Sequence, residues 1–347
     1  MFSTNLKYFT ANQGQGFVSD VYFQCFPFVL VMFLKTCLNV VYFFFLGAEN
    51  NEVKNHIYIS GGKTNKTTSE KLIFKMDTNI GKWEQFKLMD KQRCGHRSII
   101  KEDQLYLLGG VSESPYFELD ENEVVSLNEE LSTKAFPFMH NKRQSFGMCS
   151  LAECVFVGGG YQKECKTLDK CEIYSFENRE WTEVSSMNTK RLEFTLTYFQ
   201  GKIWAIGGFN YSNGNETWLD TIETFDLTIN KWATSHLRLL TKRCGHSTVA
   251  YDKKLFVVGG DSERHTIPSV EVYSSETNQF SFVSEMNIPR FNFGCCIINS
   301  SLYLIGGSLN YESSTNAVEI YDLEKNEWKR GLSLPLNLVQ FSCTNSF

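Results

Sequence analysis

The sequence lacks the spacings that bind metal ions or support most enzymatic chemistry. It contains no CxxC pair, and its six histidines form no HxxH or HExxH spacing. It also lacks a phosphate-binding loop, a nucleophile elbow and any motif that would place two catalytic carboxylates together. We therefore expect a binding module rather than an enzyme, with no catalytic residue, no metal ligand and no cofactor.

A basic surface and a disulfide framework are missing as well. The formal net charge is −5 and the pI is near 5.8, so nucleic acid is not an expected partner. The eleven cysteines are an odd number. They suit small buried hydrophobic residues of a reducing compartment, and we expect a cytoplasmic protein. The alternative is a redox-sensing thiol, which would need an exposed site and a low pKa.

What the sequence does contain is a sixfold repeat. An apolar run ends in a glycine pair at six places, as at residues 302–307. The first glycines of these pairs are Gly61, Gly109, Gly159, Gly207, Gly259 and Gly306. Their spacing of 47 to 52 residues is typical of a propeller blade. The sequence therefore predicts an all-β protein with a six-bladed β-propeller over residues 49–347.

Each unit carries further landmarks around its glycine pair. In five units an arginine lies sixteen residues before the first glycine, and we call these the lead arginines: Arg93, Arg143, Arg191, Arg243 and Arg290. The third strand alternates apolar and polar residues, which is typical of a half-buried strand. An aromatic residue then recurs in one slot of five units: Trp83, Trp181, Trp232, Phe280 and Trp328. We expect these rings to pack between blades rather than to bind a partner.

These arginines, glycine pairs, tyrosines and tryptophans resemble the kelch repeat over about 300 of the 347 residues. The resemblance implies the propeller of a kelch-like adaptor, in which BTB and BACK domains precede the repeats. Such a propeller captures a substrate for a cullin-RING ubiquitin ligase. BTB and BACK domains are absent from this sequence, so cullin is expected only through a BTB partner. The second unit has no Trp in its slot and should form the least regular blade.

The ring is expected to close through the C-terminus. The residues sixteen positions before Gly61 carry no lead arginine, and the first strand of that unit is missing there. Residues 338–343 follow Trp328 at the usual spacing and repeat the pattern of residues 290–295. We predict that the C-terminal strand completes the first blade and covers its open edge.

The resemblance also places the binding face of the propeller over the central channel. Its positions are the residue after each glycine pair (Lys63, Val111, Tyr161, Phe209, Asp261, Ser308) and the residue two after each lead arginine or its equivalent (Gly95, Ser145, Glu193, Gly245, Asn292, Gln340). The repeat requires no particular residue there. We therefore predict a partner-binding site made of Tyr161, Glu193, Phe209, Asp261, Asn292, Ser308 and Gln340, the outer rim being the alternative.

Residues 1–48 form an apolar N-terminal segment outside the repeat. Residues 21–46 are long enough to cross a bilayer, but Pro27 and Lys35 oppose a membrane helix, and a truncated or misread N-terminus is the alternative. Binding to actin, or a membrane-tethered extracellular propeller, are the other functions left open. The extracellular alternative would use the glycosylation acceptors Asn65, Asn210, Asn215 and Asn299.

Overall fold

The computed structural model describes residues 55–64, 68–113, 116–119, 121–128, 136–163, 166–212 and 214–346. Every regular element within these residues is a β-strand, as predicted. No helix in this part of the chain is long and apolar enough to cross a membrane. The apolar segment 1–48, with its stretch 21–46, and the acceptor Asn65 lie outside the described residues.

The strands follow the repeat. Those of the first two units are β1 (His56–Ser60), β2 (Leu72–Asp77), β3 (Lys82–Leu88), β4 (Arg97–Lys101), β5 (Gln104–Leu108), β6 (Val111–Glu113), β7 (Tyr116–Glu118) and β8 (Glu123–Ser126). The third and fourth units hold β9 (Gly147–Ser150), β10 (Cys154–Gly158), β11 (Tyr161–Gln162), β12 (Lys166–Thr167), β13 (Cys171–Ser175), β14 (Glu180–Val184), β15 (Thr195–Phe199), β16 (Lys202–Ile206), β17 (Phe209–Ser212), β18 (Asn215–Trp218), β19 (Thr221–Asp226) and β20 (Lys231–Arg238). The last two hold β21 (Ser247–Tyr251), β22 (Lys254–Val258), β23 (Asp261–Ser262), β24 (His265–Thr266), β25 (Val270–Ser274), β26 (Gln279–Val283), β27 (Gly294–Ile298), β28 (Ser301–Ile305), β29 (Val318–Asp322), β30 (Glu327–Arg330) and β31 (Ser342–Asn345).

These strands form six antiparallel blades. Five are four-stranded, in the orders β31-β1-β2-β3, β9-β10-β13-β14, β15-β16-β19-β20, β21-β22-β25-β26 and β27-β28-β29-β30. In the second blade the described strands are β4-β5-β8. Short hairpins (β6–β7, β11–β12, β17–β18 and β23–β24) extend the loop between the second and third strands of blades two to five. This is the six-bladed propeller that the repeat predicts.

The second strand of each blade is apolar along its length because both of its faces are covered. In β22, for example, Leu255, Phe256, Val257 and Val258 are all buried. Their neighbours come from the adjacent blades as well as from their own. Similar clusters of apolar side chains cross every gap between blades. Because both faces of the strand are buried, its residues are apolar throughout and do not alternate between apolar and polar.

The C-terminal strand closes the ring, as predicted. In β31, Ser342 pairs with Ser60 and Cys343 pairs with Ile59 of β1. The Ser342 hydroxyl also accepts a hydrogen bond of 2.8 Å from the Ser98 hydroxyl of the second blade. Strand β31 begins at Ser342. Among the residues just before it, Val339 pairs with Lys63, which follows β1, in an isolated backbone bridge.

The aromatic slot holds interblade packing residues, as expected. Each tryptophan ring stacks within the apolar clusters, and its indole N–H donates to a backbone carbonyl at the end of the preceding unit. The donors and acceptors are Trp83 to Leu332 (3.0 Å), Trp181 to Pro137 (3.0 Å), Trp232 to Ser185 (2.9 Å) and Trp328 to Ser284 (3.1 Å). The second unit lacks this tryptophan, and there Phe136 packs 4.4 Å from the Tyr174 ring.

Candidate functional site

The buried lead arginines hold the loops that form one face of the propeller. The Arg191 guanidinium is completely buried and donates to the carbonyl of Gly207, sixteen residues later, at 2.7 Å. It also pairs with the Glu223 carboxylate at 2.9 Å. Burial lowers the pKa of the Arg191 guanidinium, and the charge of Glu223 opposes that shift. The other four lead arginines are bonded in the same way, so these residues are structural, as expected.

The glutamates that pair with them depart from the sequence-based expectation. The alternating third strand predicts that its polar residues face solvent, yet Glu223 and Glu271 are completely buried. The second carboxylate oxygen of Glu223 accepts the Asn188 backbone N–H at 2.7 Å. One glutamate therefore holds both the lead arginine and the chain that leads to it. The ion pair compensates the buried charge of the glutamate, and its hydrogen bond to the backbone N–H holds the loop before the arginine in place.

The glycine pairs let two backbone segments approach each other closely at the channel mouth. Gly207 has a φ of +57°, and a Cβ atom there would lie 2.8 Å from the Arg243 carbonyl oxygen. Phe209, directly after this pair, exchanges two backbone hydrogen bonds of 2.8 Å with Leu192. The same bridge recurs in every blade. The two sets of predicted face positions are thus brought side by side.

The residues two after each of the five lead arginines, together with Gln340 two after Leu338, form a closed ring of backbone hydrogen bonds. Each N–H donates to the carbonyl of the equivalent residue in the preceding blade, over 2.8 to 3.1 Å. The members of this ring are Gly95, Ser145, Glu193, Gly245, Asn292 and Gln340. All six have φ between +50° and +63°. Their side chains vary, as predicted, but their backbones share one left-handed conformation, which glycine and asparagine adopt most easily.

The seven predicted partner-binding residues are gathered around this ring, and six of them are half-buried: Tyr161, Glu193, Phe209, Asn292, Ser308 and Gln340. Asp261 differs, because it is completely buried. Its Oδ1 accepts the Trp218 indole N–H at 2.8 Å and the Arg264 backbone N–H at 3.0 Å. Asp261 therefore holds other residues of the face in position.

Trp218 and Tyr311 belong to this face but were not predicted from the sequence. The Trp218 ring meets Phe209 edge to face, with centroids 4.9 Å apart. Tyr311 is 47% exposed and packs on Phe291 at 5.4 Å. Both lie in loops whose length differs from blade to blade, so no repeat position pointed to them. The one available signal was that Trp218 stands outside the repeated tryptophan slot.

The mouth is acidic and partly removed from water. The Glu193 carboxylate accepts a hydrogen bond of 3.1 Å from the Asn292 side chain. Burial raises the pKa of Glu193, and the nearby charge of Asp261 adds to that rise. Burial and the Asp261 carboxylate also raise the pKa of the Tyr311 hydroxyl. Such a surface favours a ligand that brings hydrogen-bond donors or positive charge.

The histidines and cysteines of the repeat pack in the core. His96 bonds to the Ser60 hydroxyl through Nε2 at 2.8 Å. Burial lowers the pKa of His246 to about 3, so its ring is neutral near pH 7. Burial also raises the pKa of Cys149 to about 12, and such a thiol is unreactive. Within the described residues, no three His, Cys, Asp or Glu side chains are grouped to hold a metal ion.

Comparisons with known proteins agree with the repeat. Residues 193–335 match the KLHDC2/KLHL20/DRC7 Kelch-repeats domain, and residues 142–188 match the Kelch motif. Kelch-like protein 26 of Danio rerio is 23% identical over 80% of this chain and 46% of its own length. Kelch-like protein 23 of Homo sapiens is 26% identical over 83% of this chain and 50% of its own. Kelch repeat and BTB domain-containing protein 1 of Vaccinia virus (strain Copenhagen) is 24% identical over 73% and 45%. The chain spans about half the length of the curated relatives it matches.

Proposed function

Because the chain is a kelch-repeat β-propeller, we propose that it is a protein-binding module that captures its partner at the channel mouth. The observation that carries the proposal is the closed ring of residues at that mouth. It holds the backbone of six loops in one rigid frame, while the side chains on the frame differ from blade to blade. A rigid frame with varied side chains binds without a large ordering cost.

The anchors of this face are aromatic. Phe209, Trp218 and Tyr311 offer ring surface beside the Glu193 carboxylate. Interface energy is concentrated in a few large residues, among which tryptophan and tyrosine are enriched. The partner we propose is therefore a protein segment with an apolar group for the aromatic rings and a donor or positive charge for Glu193.

The finer proposal is that this partner is a substrate for ubiquitination. The resemblance to kelch-like adaptors supports it, as do the viral relatives, whose name couples kelch repeats with a BTB domain. A cullin would be reached through a BTB partner, and the complex would act in the cytoplasm. Actin binding is the competing outcome, which co-sedimentation of the purified chain with actin filaments would reveal.

A triple variant tests the face. Replacing Tyr161, Glu193 and Phe209 by Ala should remove most partner capture, measured by quantitative mass spectrometry after affinity purification. Thermal melting must first show that the variant is folded. A matched control changes Ile80 and Ile229 to Ala. These side chains are 75% and 61% exposed in turns between third and fourth strands, at the opposite face. An unchanged set of partners in the triple variant would place the site elsewhere.

The ubiquitin-ligase proposal needs a separate readout. A captured partner should become less ubiquitinated when the triple variant replaces the original chain, and cullin should co-purify with the original chain only while its BTB partner is present. If the original chain captures the partner and the triple variant does not, but ubiquitination of the partner is the same with both, the binding face is correct and the adaptor role is wrong.

A further inference from the structure

Two cysteines face each other across the gap between the sixth blade and the first. Cys296 of β27 belongs to the apolar cluster that fills this gap, and Cys343 of β31 packs against the same cluster. Cys343 also lies beside Gly294, since a Cβ atom on that glycine would lie 2.8 Å from the Cys343 Cβ. Gly294 and Cys296 are two residues apart in one strand and therefore share a face. The Cys343 side chain thus meets the face of β27 that carries Cys296.

The same two positions are in direct contact in the gap between the fourth blade and the fifth. Cys296 is the third residue of β27 and Cys343 the second residue of β31, as Thr197 is of β15 and Thr248 of β21. The Thr197 and Thr248 hydroxyls are hydrogen-bonded to each other. The repeat therefore brings the ends of these two side chains together, and in the closing gap these ends are thiols.

Only the closing gap has cysteine at both positions of this pair among the six innermost strands, all of which the structure describes. The pairs in the other gaps are Thr344 with Ser98, Ile99 with Met148, Cys149 with Leu196, Thr197 with Thr248 and Val249 with Cys295. A hydrogen bond with Cys343, together with burial, raises the pKa of the Cys296 thiol. Neither Cys296 nor Cys343 is in a disulfide in this structure, so the closing gap holds two reduced thiols in contact.

The channel gives a small oxidant access to one of these thiols. A cavity of about 200 Å³ lies in the channel, and both Cys343 and the mouth residue Gln340 are among the residues that line it. Cys343 is half-buried, whereas Cys296 is only 6% exposed. Hydrogen peroxide is small and uncharged, and it can enter such a cavity. The Cys343 sulfur therefore meets peroxide first, and the Cys296 sulfur lies next to it.

We propose that Cys296 and Cys343 form a reversible oxidation site, at which hydrogen peroxide converts the two thiols to a disulfide. The Cys343 sulfur attacks peroxide, so that an S–O bond forms, the O–O bond breaks, and the departing hydroxide takes up the thiol proton as water. The Cys296 sulfur then attacks the sulfenic acid, so that the S–S bond forms and the S–O bond breaks with loss of a second water. The two thiols lose two electrons, and peroxide is reduced to two water molecules. A dithiol reductant reverses the oxidation.

The disulfide holds the closing strand against the sixth blade. β31 is the innermost strand of the first blade and pairs with β1 alone. A strand that pairs on one side opens more easily than one that pairs on both. The cross-link to β27 keeps β31 in the position where β1 binds it. This site is independent of partner capture by the aromatic residues of the mouth.

The first experiment identifies the bond in the full chain. The chain is exposed to hydrogen peroxide for hours, because the protonated Cys296 thiol attacks slowly, and the remaining thiols are then blocked with N-ethylmaleimide. Mass spectrometry of the peptides should show Cys296 linked to Cys343 with the loss of two hydrogen atoms, and dithiothreitol should remove the link. Fragment spectra must distinguish Cys296 from its neighbour Cys295. Sulfinic acid at Cys343 without a link would overturn the proposal, and so would a link to Cys295 or no oxidation of Cys343.

The variants use residues that other blades carry at the same positions. Cys296→Val follows Val249 of the fifth blade and Cys343→Ser follows Ser98 of the second, so both are expected to fold. Each should abolish the link. Cys149→Val is the matched control, because Cys149 packs with Leu196 and has no cysteine across its gap. This control should form the link as the original chain does. If a variant does not fold, the peptide map of the original chain still decides the outcome.

Hydrogen exchange measures the effect of the disulfide on the fold. Oxidation should slow the amide exchange of residues 342–345 by about tenfold or more, and dithiothreitol should restore the original rate. Residues 147–150, the equivalent strand of the third blade, should exchange alike in both states. Oxidation should also raise the melting temperature of the original chain but not that of Cys296→Val. Equal exchange of residues 342–345 in the oxidised and reduced chains would show that the disulfide does not hold the closing strand.

Discussion

Leu338 and Phe74 occupy, in the first blade, the two positions that hold a buried arginine and a buried glutamate in each of the other five. The carbonyl of Leu338 accepts the Gly307 N–H, as that of Arg243 accepts the Gly208 N–H. Phe74 pairs across the sheet with Ile59, as glutamates do in the other blades. Both side chains are buried in one apolar cluster. The two changes occur together because either charge alone would be left buried and uncompensated.

This relationship predicts the outcome of a double-mutant cycle in the fourth blade. Arg191→Leu alone should lower the free energy of unfolding by about 3–5 kcal/mol, since Glu223 is then buried without its cation. The double variant Arg191→Leu with Glu223→Phe should be more stable than that single variant. It should not reach the original stability, because the Asn188 N–H loses its acceptor. Denaturant melts measure the unfolding free energies of the original chain, Arg191→Leu and the double variant. A double variant less stable than Arg191→Leu would show that an apolar pair cannot replace the buried ion pair in this blade.

The tryptophans of the repeat should behave as core residues. Trp181→Ala, Trp232→Ala and Trp328→Ala are each expected to cost about 3–5 kcal/mol, with the largest loss at Trp181, which is 7% exposed. Trp181→Phe keeps most of the ring but loses the hydrogen bond to Pro137, and should cost about 1–2 kcal/mol. Denaturant melts beside partner capture test this. An alanine variant that keeps its stability but loses a partner would assign the ring to recognition.

Sequence periodicity predicted the propeller, its closure and the structural arginines, because each of these repeats. The interval of sixteen residues between arginine and glycine corresponds to a hydrogen bond in the structure, which the Arg191 guanidinium donates to the Gly207 carbonyl. Features that occur once were not predictable in this way. Trp218 and Tyr311 lie in loops of unequal length, and the buried Asp261 accepts a hydrogen bond from the Trp218 indole N–H. The site therefore depends on contacts between loops that a repeat pattern does not record.

Removal of residues 336–347 should abolish cooperative folding of the ring. β1 would lose its partner β31, and the Ser98 hydroxyl would lose Ser342. The deletion leaves an unpaired inner edge and removes Phe341 from the core, so aggregation or a broad, non-cooperative melt is expected. Calorimetry and size-exclusion chromatography measure the outcome. A truncated chain that melts as sharply as the original would show that β31 does not hold the ring together.

His246 should make the fold sensitive to acid. Its pKa is lowered from 6.5 to about 3 by burial, and the Arg243 charge adds to this. Between these two pH values the unfolded chain binds a proton that the folded chain does not bind, so stability falls as the pH drops. At pH about 4.5 the loss from this group should be about 2–3 kcal/mol. His246→Phe, which places the aromatic residue of four other blades in this slot, should remove that part of the pH dependence.

The comparison uses the slope of unfolding free energy against pH, not its absolute value. His246→Phe loses the contact of Nε2 with the Thr195 hydroxyl at 3.4 Å, and this changes stability equally at every pH above the window. Denaturant melts across the acid range give both slopes. His265→Phe is the matched control, because His265 is exposed and the same substitution there removes no buried imidazole. Parallel slopes for His246→Phe and the original chain would mean that the buried ring takes up its proton in the folded state as readily as in the unfolded one.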